Sequence, residues 1–282
     1  MQGTVDGFSY GLVTPVVAYV MACLGGALGL RCATRSLLVK RSWKPGWLAL
    51  GATATGSGIW CMHFIAMIGF SVAETPLHYD RRITFASLGV AIVMVGIGIF
   101  IVGYRGTTPM ALVTGGTITG LGVASMHYLG MAGVRLHGRL EYDTATVAVS
   151  VVIAVVAATG ALWAAISLRG FLPALGASLV MGLAMSGMHY TGMAALSVRL
   201  HGPVSPPGGD SPAALLAPML IGPVIFLFVA GVVVMFDPLL LMGTPEWQSP
   251  GPGPRTPPAP PPVPRARTVP PPRGGPPYRR DW

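Results

Sequence analysis

Two stretches of this 282-residue chain, Thr144–Ser167 and residues 215–236, contain no charged side chain at all. A charge-free apolar run of 18 or more residues is a candidate transmembrane helix, because about 20 residues at 1.5 Å each cross a hydrocarbon core roughly 30 Å thick. Counting these two, seven such segments can be read: 10–30, 47–70, 84–102, 111–131, 144–168, 174–195 and 215–236. Only 10% of the residues are charged, against about 25% in an ordinary soluble domain. The 52% of hydrophobic residues is hard to reconcile with a water-soluble fold of this size. The expectation is an all-α protein of seven transmembrane helices in a lipid bilayer.

The net charge of +9 does not make a nucleic-acid surface, because the basic residues are scattered between the helices and along a tail. Arg31, Arg35, Lys40, Arg41 and Lys44 crowd into the first connection. The positive-inside rule makes that connection cytoplasmic, which puts the N-terminus outside and the C-terminus in the cytoplasm. Trp43 and Trp47 then fall at the inner interface, where aromatic belts form. A multi-pass protein of the cytoplasmic membrane follows. The first 30 residues lack a basic n-region and a cleavage site, so no removable signal peptide is expected. Cys23, Cys32 and Cys61 are odd in number and give no disulfide framework.

The composition changes near residue 243. Residues 244–282 hold 15 of the 27 prolines and almost no aliphatic side chains, so they cannot bury a core. The division expected is a seven-helix membrane domain over 1–243 and a disordered Pro/Arg-rich cytoplasmic tail over 244–282.

A repeat of about 63 residues runs through the membrane part. Residues 56–67 (GSGIWCMHFIAM), 120–131 (GLGVASMHYLGM) and 182–193 (GLAMSGMHYTGM) share the pattern G-x-[GA]-x-x-x-M-H-[FY]-x-[AG]-M. Each is preceded by an Arg/Pro pair (Arg41/Pro45, Arg105/Pro109, Arg169/Pro173) and followed by a Leu-His pair ending in His78, His137 or His201. The period covers two helices, so the chain reads as three two-helix repeats plus a seventh helix. The units share one orientation, with a pseudo-threefold arrangement of the second, fourth and sixth helices. If the prolines open these helices at the inner interface, His63, His127 and His189 lie near the outer edge of the hydrocarbon core. At about 100° per residue, Gly56, His63 and Met67 share one stripe, as do Gly120, His127, Met131 and Gly182, His189, Met193. A glycine beneath each histidine suits three helices packed around an axis.

Polar groups inside a bilayer are costly and usually functional. Three histidines in equivalent positions read as metal ligands, with interhelical hydrogen bonding and a proton role as the alternatives. Thioether sulfur selects Cu(I), and imidazole also suits copper. The candidate metal ligands are His63, Met67, His127, Met131, His189 and Met193, with Met62, Met126 and Met188 pointing about 100° away and core packing as the alternative for every methionine. His78, His137 and His201 are candidates for a second shell or entry ligands. Cys61 has Ser125 and Gly187 as its repeat equivalents and is not counted.

Met188-His189-Tyr190-Thr191, with Met126-His127-Tyr128-Leu129 and Met62-His63-Phe64-Ile65, resembles the MHYT domain, a bacterial integral-membrane sensor domain. The likeness covers roughly residues 10–236. It implies copper held by these Met, His and Tyr residues near the outer face, a diatomic gas as the sensed ligand, and a cytoplasmic signalling partner. Relatives of that kind carry cyclic-di-GMP or kinase modules, and none can be read in this sequence, so the partner is expected to be a separate protein. Phe64 stands where the motif has tyrosine. The competing readings are a copper transporter and a haem-binding membrane protein. An enzyme is not expected: no acidic residue falls inside any helix, and Glu74, Asp80, Glu141, Asp143 and Asp210 belong to the outer connections.

Overall fold

A computed structural model describes residues 3–7, 9–168, 170–200 and 211–237. Seven helices, each long and apolar enough to cross a membrane, make up most of the described chain: α1 (Val13–Leu38), α2 (Lys44–Ile68), α3 (Arg81–Arg105), α4 (Pro109–Ala132), α5 (Thr144–Ser167), α6 (Phe171–Ala194) and α7 (Pro212–Met235). This is a multi-pass membrane protein with the expected seven-helix architecture. The tail, its boundary, His201 and Arg169 lie outside the described residues.

The helix limits follow local chemistry. Pro45 and Pro109 sit in the first turn of α2 and α4, where a missing N–H costs nothing. Asp80 and Asp143, one repeat apart, cap α3 and α5 by accepting from the backbone N–H groups of Ile83 and Thr146. These bonds, with the Thr146 hydroxyl as the larger influence at Asp143, hold both carboxyls below their usual range.

The largest departure from the sequence expectation is α1, which runs eight residues past the end expected at residue 30. Arg31 and Arg35 therefore belong to the helix and not to the connection. Each finds a local partner: Arg31 lies over the Phe171 ring, and Arg35 lies over Trp47 and pairs with Asp237. Long basic side chains at a helix end can keep their charge satisfied while their stems stay apolar, so a charge count alone ends such a helix too early.

The connections are also more ordered than loops. Among the described residues six short strands form three antiparallel pairs: β1 (Val5–Asp6) with β2 (Ser71–Val72), β3 (His78–Tyr79) with β4 (Val134–Arg135), and β5 (Gly138–Tyr142) with β6 (Leu196–Leu200). In each pair one strand precedes an odd-numbered helix and the other follows the next even-numbered one. The repeat unit is thus β-α-α-β, a helical hairpin whose two ends are tied together.

Helices α1 to α6 pack on their chain neighbours, and α6 packs back on α1, closing a six-helix ring. Helix α7 lies against α2 and α1, and α2 is the most buried of the seven. The motif glycines do not face the axis as the stripe argument expects. A Cβ on Gly56 would meet the backbone of Ile92 in α3, one on Gly120 the backbone of Val155 in α5, and one on Gly182 the Cys23 sulfur in α1. The gaps between even-numbered helices are filled by odd-numbered ones, so small residues permit close approach between ring neighbours.

Candidate metal centre

His63, His127 and His189 each stand five residues before the end of their helix, at the same depth, roughly 7.5 Å inside it. Equal depth on three helices around one axis brings the imidazoles together. The Nδ1 atoms form a triangle with edges of 3.0, 3.1 and 3.3 Å. The rings stand nearly perpendicular to one another, at 77°, 80° and 87°. Each also meets the aromatic residue that follows it, Phe64, Tyr128 or Tyr190, edge to face. All three histidines are 1% exposed. Phe70, Val72, Leu77, Val134 and Val198, from the segments just beyond the helices, are buried in the same core.

Three Nδ1 atoms at this spacing cannot all be hydrogen-bonded. A ring nitrogen of neutral imidazole either carries a proton and donates or is bare and accepts. Around a cycle of three contacts, at least one pair must therefore be donor against donor or acceptor against acceptor. A cation removes the conflict, because all three bare nitrogens can then point at it. The centre of the triangle lies about 1.8 Å from each nitrogen, within roughly 0.3 Å of the usual 2.0–2.1 Å metal–imidazole length. The donor set fits a metal. Among the described residues this is the one cluster of three or more His, Cys, Asp or Glu side chains placed to share an ion. It contains no carboxylate, so nothing offsets the charge of a bound ion. A monovalent ion is then less costly to bury than a divalent one.

The far nitrogens show how the rings are seated. A Cβ on Gly130 of α4 would lie 2.7 Å from His63 Nε2, and one on Gly192 of α6 would lie 2.5 Å from His127 Nε2. Each of these histidines therefore reaches into a notch left by a glycine on the next even-numbered helix. The third equivalent position is Ala66. The sequence pattern records this position as [AG], but spacing alone does not say that the absent side chain is room for a histidine. Among the described residues Nε2 of His63 and of His127 has no hydrogen-bond partner. We expect Gly192→Ala to push the His127 ring off its position and weaken metal binding by about 10–100-fold, the cost of disturbing the groups that orient a ligand. Retention of full affinity in a titration of the purified variant would contradict the notch.

The remaining candidates divide. Met62, Met67, Met126, Met131 and Met188 are buried in the apolar core, and Met193 is half-buried against it. His78 and His137 are exposed, outside the triad. Cys61 is buried and free. Sequence reasoning missed Trp60, Ser87 and Ser150. Tyr128 shares a 2.6 Å hydrogen bond with Ser150, and the equivalent serine, Ser87, accepts from Trp60 Nε1 at 3.1 Å. Trp60 thus takes over the polar contact that Phe64, lacking a hydroxyl, cannot make.

Residues 56–115 and 120–178 match the MHYT repeat, described as a bacterial signalling protein N-terminal repeat. The chain belongs to the MHYT family. Its MHYT region is 39% identical over 197 residues to the bifunctional diguanylate cyclase/cyclic di-GMP phosphodiesterase MucR of Pseudomonas aeruginosa, covering 68% of this chain and 29% of that protein. It is 36% identical over 209 residues to the cyclic di-GMP phosphodiesterase NbdA of the same organism, covering 69% of this chain and 26% of NbdA. The signaling protein YkoW of Bacillus subtilis is 28% identical over 213 residues, 71% of this chain and 25% of YkoW. The chain thus spans less than a third of the length of these relatives, and the shared part is the MHYT membrane domain of signalling proteins. No solved structure matches it.

Proposed function

We propose that this MHYT protein is a membrane sensor whose three-histidine centre holds a copper ion near the outer face. The observation that carries this reading is the triangle of buried Nδ1 atoms, which is frustrated without a cation and of the right size for one. His63, His127 and His189 hold the ion. Met62, Met126 and Met188, each next to a triad histidine, and Met67, Met131 and Met193, one turn beyond it, offer thioethers that favour Cu(I) over harder ions. Bound there, copper supplies a redox couple and an affinity for a diatomic gas. The chain's own residues orient the imidazoles, exclude water and pass on any change of ring position. Phe64, Tyr128 and Tyr190 abut the rings edge to face, and the glycine notches seat two of them. A ligand shifts the helices only if it binds two arrangements unequally. Lys40 and Arg41 between α1 and α2, with Arg31, Arg35 and Lys44 in the adjoining helix ends, support an orientation with this end in the cytoplasm and the triad end outside. The sensor has no turnover of its own and signals to a cytoplasmic protein, by analogy with the cyclic di-GMP enzymes among its relatives.

Transport of the ion is the weaker reading. One turn below the triad the axis is lined by Ile59, Val123 and Met185, and of these only α6 supplies a soft ligand. The test of the sensor reading is the metal content of purified protein beside a His63→Ala/His127→Ala/His189→Ala variant. Copper near one equivalent in the parent and background in the variant is expected. Equal copper in both would overturn the assignment.

A further inference from the structure

We propose that a recess at the triad end of the bundle is a binding site for a small organic anion with a flat apolar body. The recess measures about 330 Å³ and is built from residues 128–142, the end of α4 and the connection that follows it. The helix contributes one wall: Tyr128, Met131 and Ala132 stand three and four residues apart and so share a face. The strand contributes another: Gly138, Leu140 and Tyr142 alternate along β5, while Arg139 and Glu141 take its opposite face. Two ladders hold the connection in shape, because β4 pairs with β3 and β5 pairs with β6.

The chemistry of these walls defines the guest. Tyr128 and Tyr142 meet edge to face, with centroids 5.7 Å apart and planes at 85°, so they form a corner with two aromatic sides. Half-buried Leu136 and Leu140 and fully buried Met131 add apolar surface around that corner. Arg135 is the one charged residue among the described lining residues, and no carboxylate, histidine or cysteine joins it. That leaves no set of ligands for a metal ion, and the guanidinium repels an organic cation. It selects an anion. Arg135 already touches Asp80, but only through Nη2 at 3.4 Å and with its side chain 62% exposed. Such surface pairs contribute little, and the other oxygen of Asp80 is engaged in capping α3. A guanidinium presents five donors in a planar fork, so it can take a carboxylate while the apolar body lies in the tyrosine corner. The volume sits near the lower limit of ordinary ligand pockets, roughly 300 Å³. That suits a guest of one ring, not a nucleotide or a peptide.

The site differs from the metal centre in place and in ligand, and its occupancy needs no metal. Tyr128 adjoins both, since it also meets the His127 ring edge to face at 4.8 Å, so a bound anion would act on the triad through one shared ring. That consequence rests on the sensor reading above; binding itself does not. The test therefore uses metal-free protein in detergent micelles, with benzoate as the probe and benzylamine as its cationic counterpart. Saturation-transfer NMR and titration calorimetry should show saturable binding of benzoate and none of benzylamine. Arg135→Gln, an exposed change that leaves the core intact, should weaken benzoate binding by about 10–100-fold, the worth of a hydrogen bond to a charged group. Arg139→Gln, on the opposite face of β5, should leave it nearly unchanged. Leu140→Trp fills the recess and should abolish binding in protein that keeps the parent's melting behaviour. The proposal is overturned if the parent shows no saturable benzoate binding, if benzylamine binds as well, or if Arg139→Gln costs as much as Arg135→Gln.

Discussion

If the triad holds copper as proposed, replacing His127 with alanine should lower copper affinity by more than about a hundredfold, measured by competition with a Cu(I) chelator. The magnitude is a floor: loss of a group that merely orients a metal ligand costs 10–100-fold, and His127 is one corner of the triangle itself. The same change separates ligation from packing through stability. A ligand that binds only the folded state adds about 2.7 kcal/mol at a hundred times its Kd, so on this reading the parent's melting temperature should rise when copper is added. In His127→Ala the rise should nearly vanish. The metal-free variant need not be much weaker than the metal-free parent, because removing one corner also removes the odd cycle. His63 and His189, 3.0 Å apart, can then form an ordinary donor–acceptor pair. If the histidines serve only as interhelical hydrogen bonds, the opposite pattern results: stability drops in His127→Ala, and copper changes neither protein.

Much of this arrangement can be read from the chain, and its gaps have identifiable causes. Scarcity of charge marks all seven helices, because of the two structures that satisfy backbone groups across a bilayer, helices and closed barrels, only helices need such long apolar runs. The depth of the histidines follows from counting residues between proline and histidine. That they meet is a consequence of the threefold repeat, since three equivalent units around one axis bring equivalent residues to it. What spacing does not reveal is which neighbour a small residue touches. Gly56 shares a face with His63 on an ideal helix, yet it packs on Ile92 of α3, because six helices and not three enclose the axis. The closing strand pairs were missed for a related reason. β1 to β4 are two residues each, far below the length at which alternation is visible. The roles of Gly130 and Gly192 depend on a ring arriving from another helix, and sequence periodicity has no term for that.

At the opposite end from the triad, Asp237→Ala should destabilise the bundle by about 3–5 kcal/mol, the cost of breaking a buried ion pair by removing one partner. Asp237 stands just past the end of α7, 8% exposed, and its Oδ2 accepts from Arg35 Nε at 2.8 Å. Arg35 itself is 11% exposed in the last turn of α1, with its guanidinium over Trp47 and its Nη1 buried without a partner among the described residues. Without the carboxylate, a charge that can neither deprotonate nor reach water easily is left in place. The pair is a charged contact between the end of α7 and the ring, on a helix made of apolar side chains. The measurement is unfolding in detergent micelles, with Arg35→Met and the double variant completing a cycle. Arg35→Met leaves a lone carboxylate, a group that can escape the cost of a buried charge by taking up a proton where arginine cannot lose one, so it should cost less than Asp237→Ala. The double variant should recover most of the loss, because two apolar groups replace both charges. Additive losses in the cycle would show that the two side chains act independently, and that α7 is held by its apolar face alone.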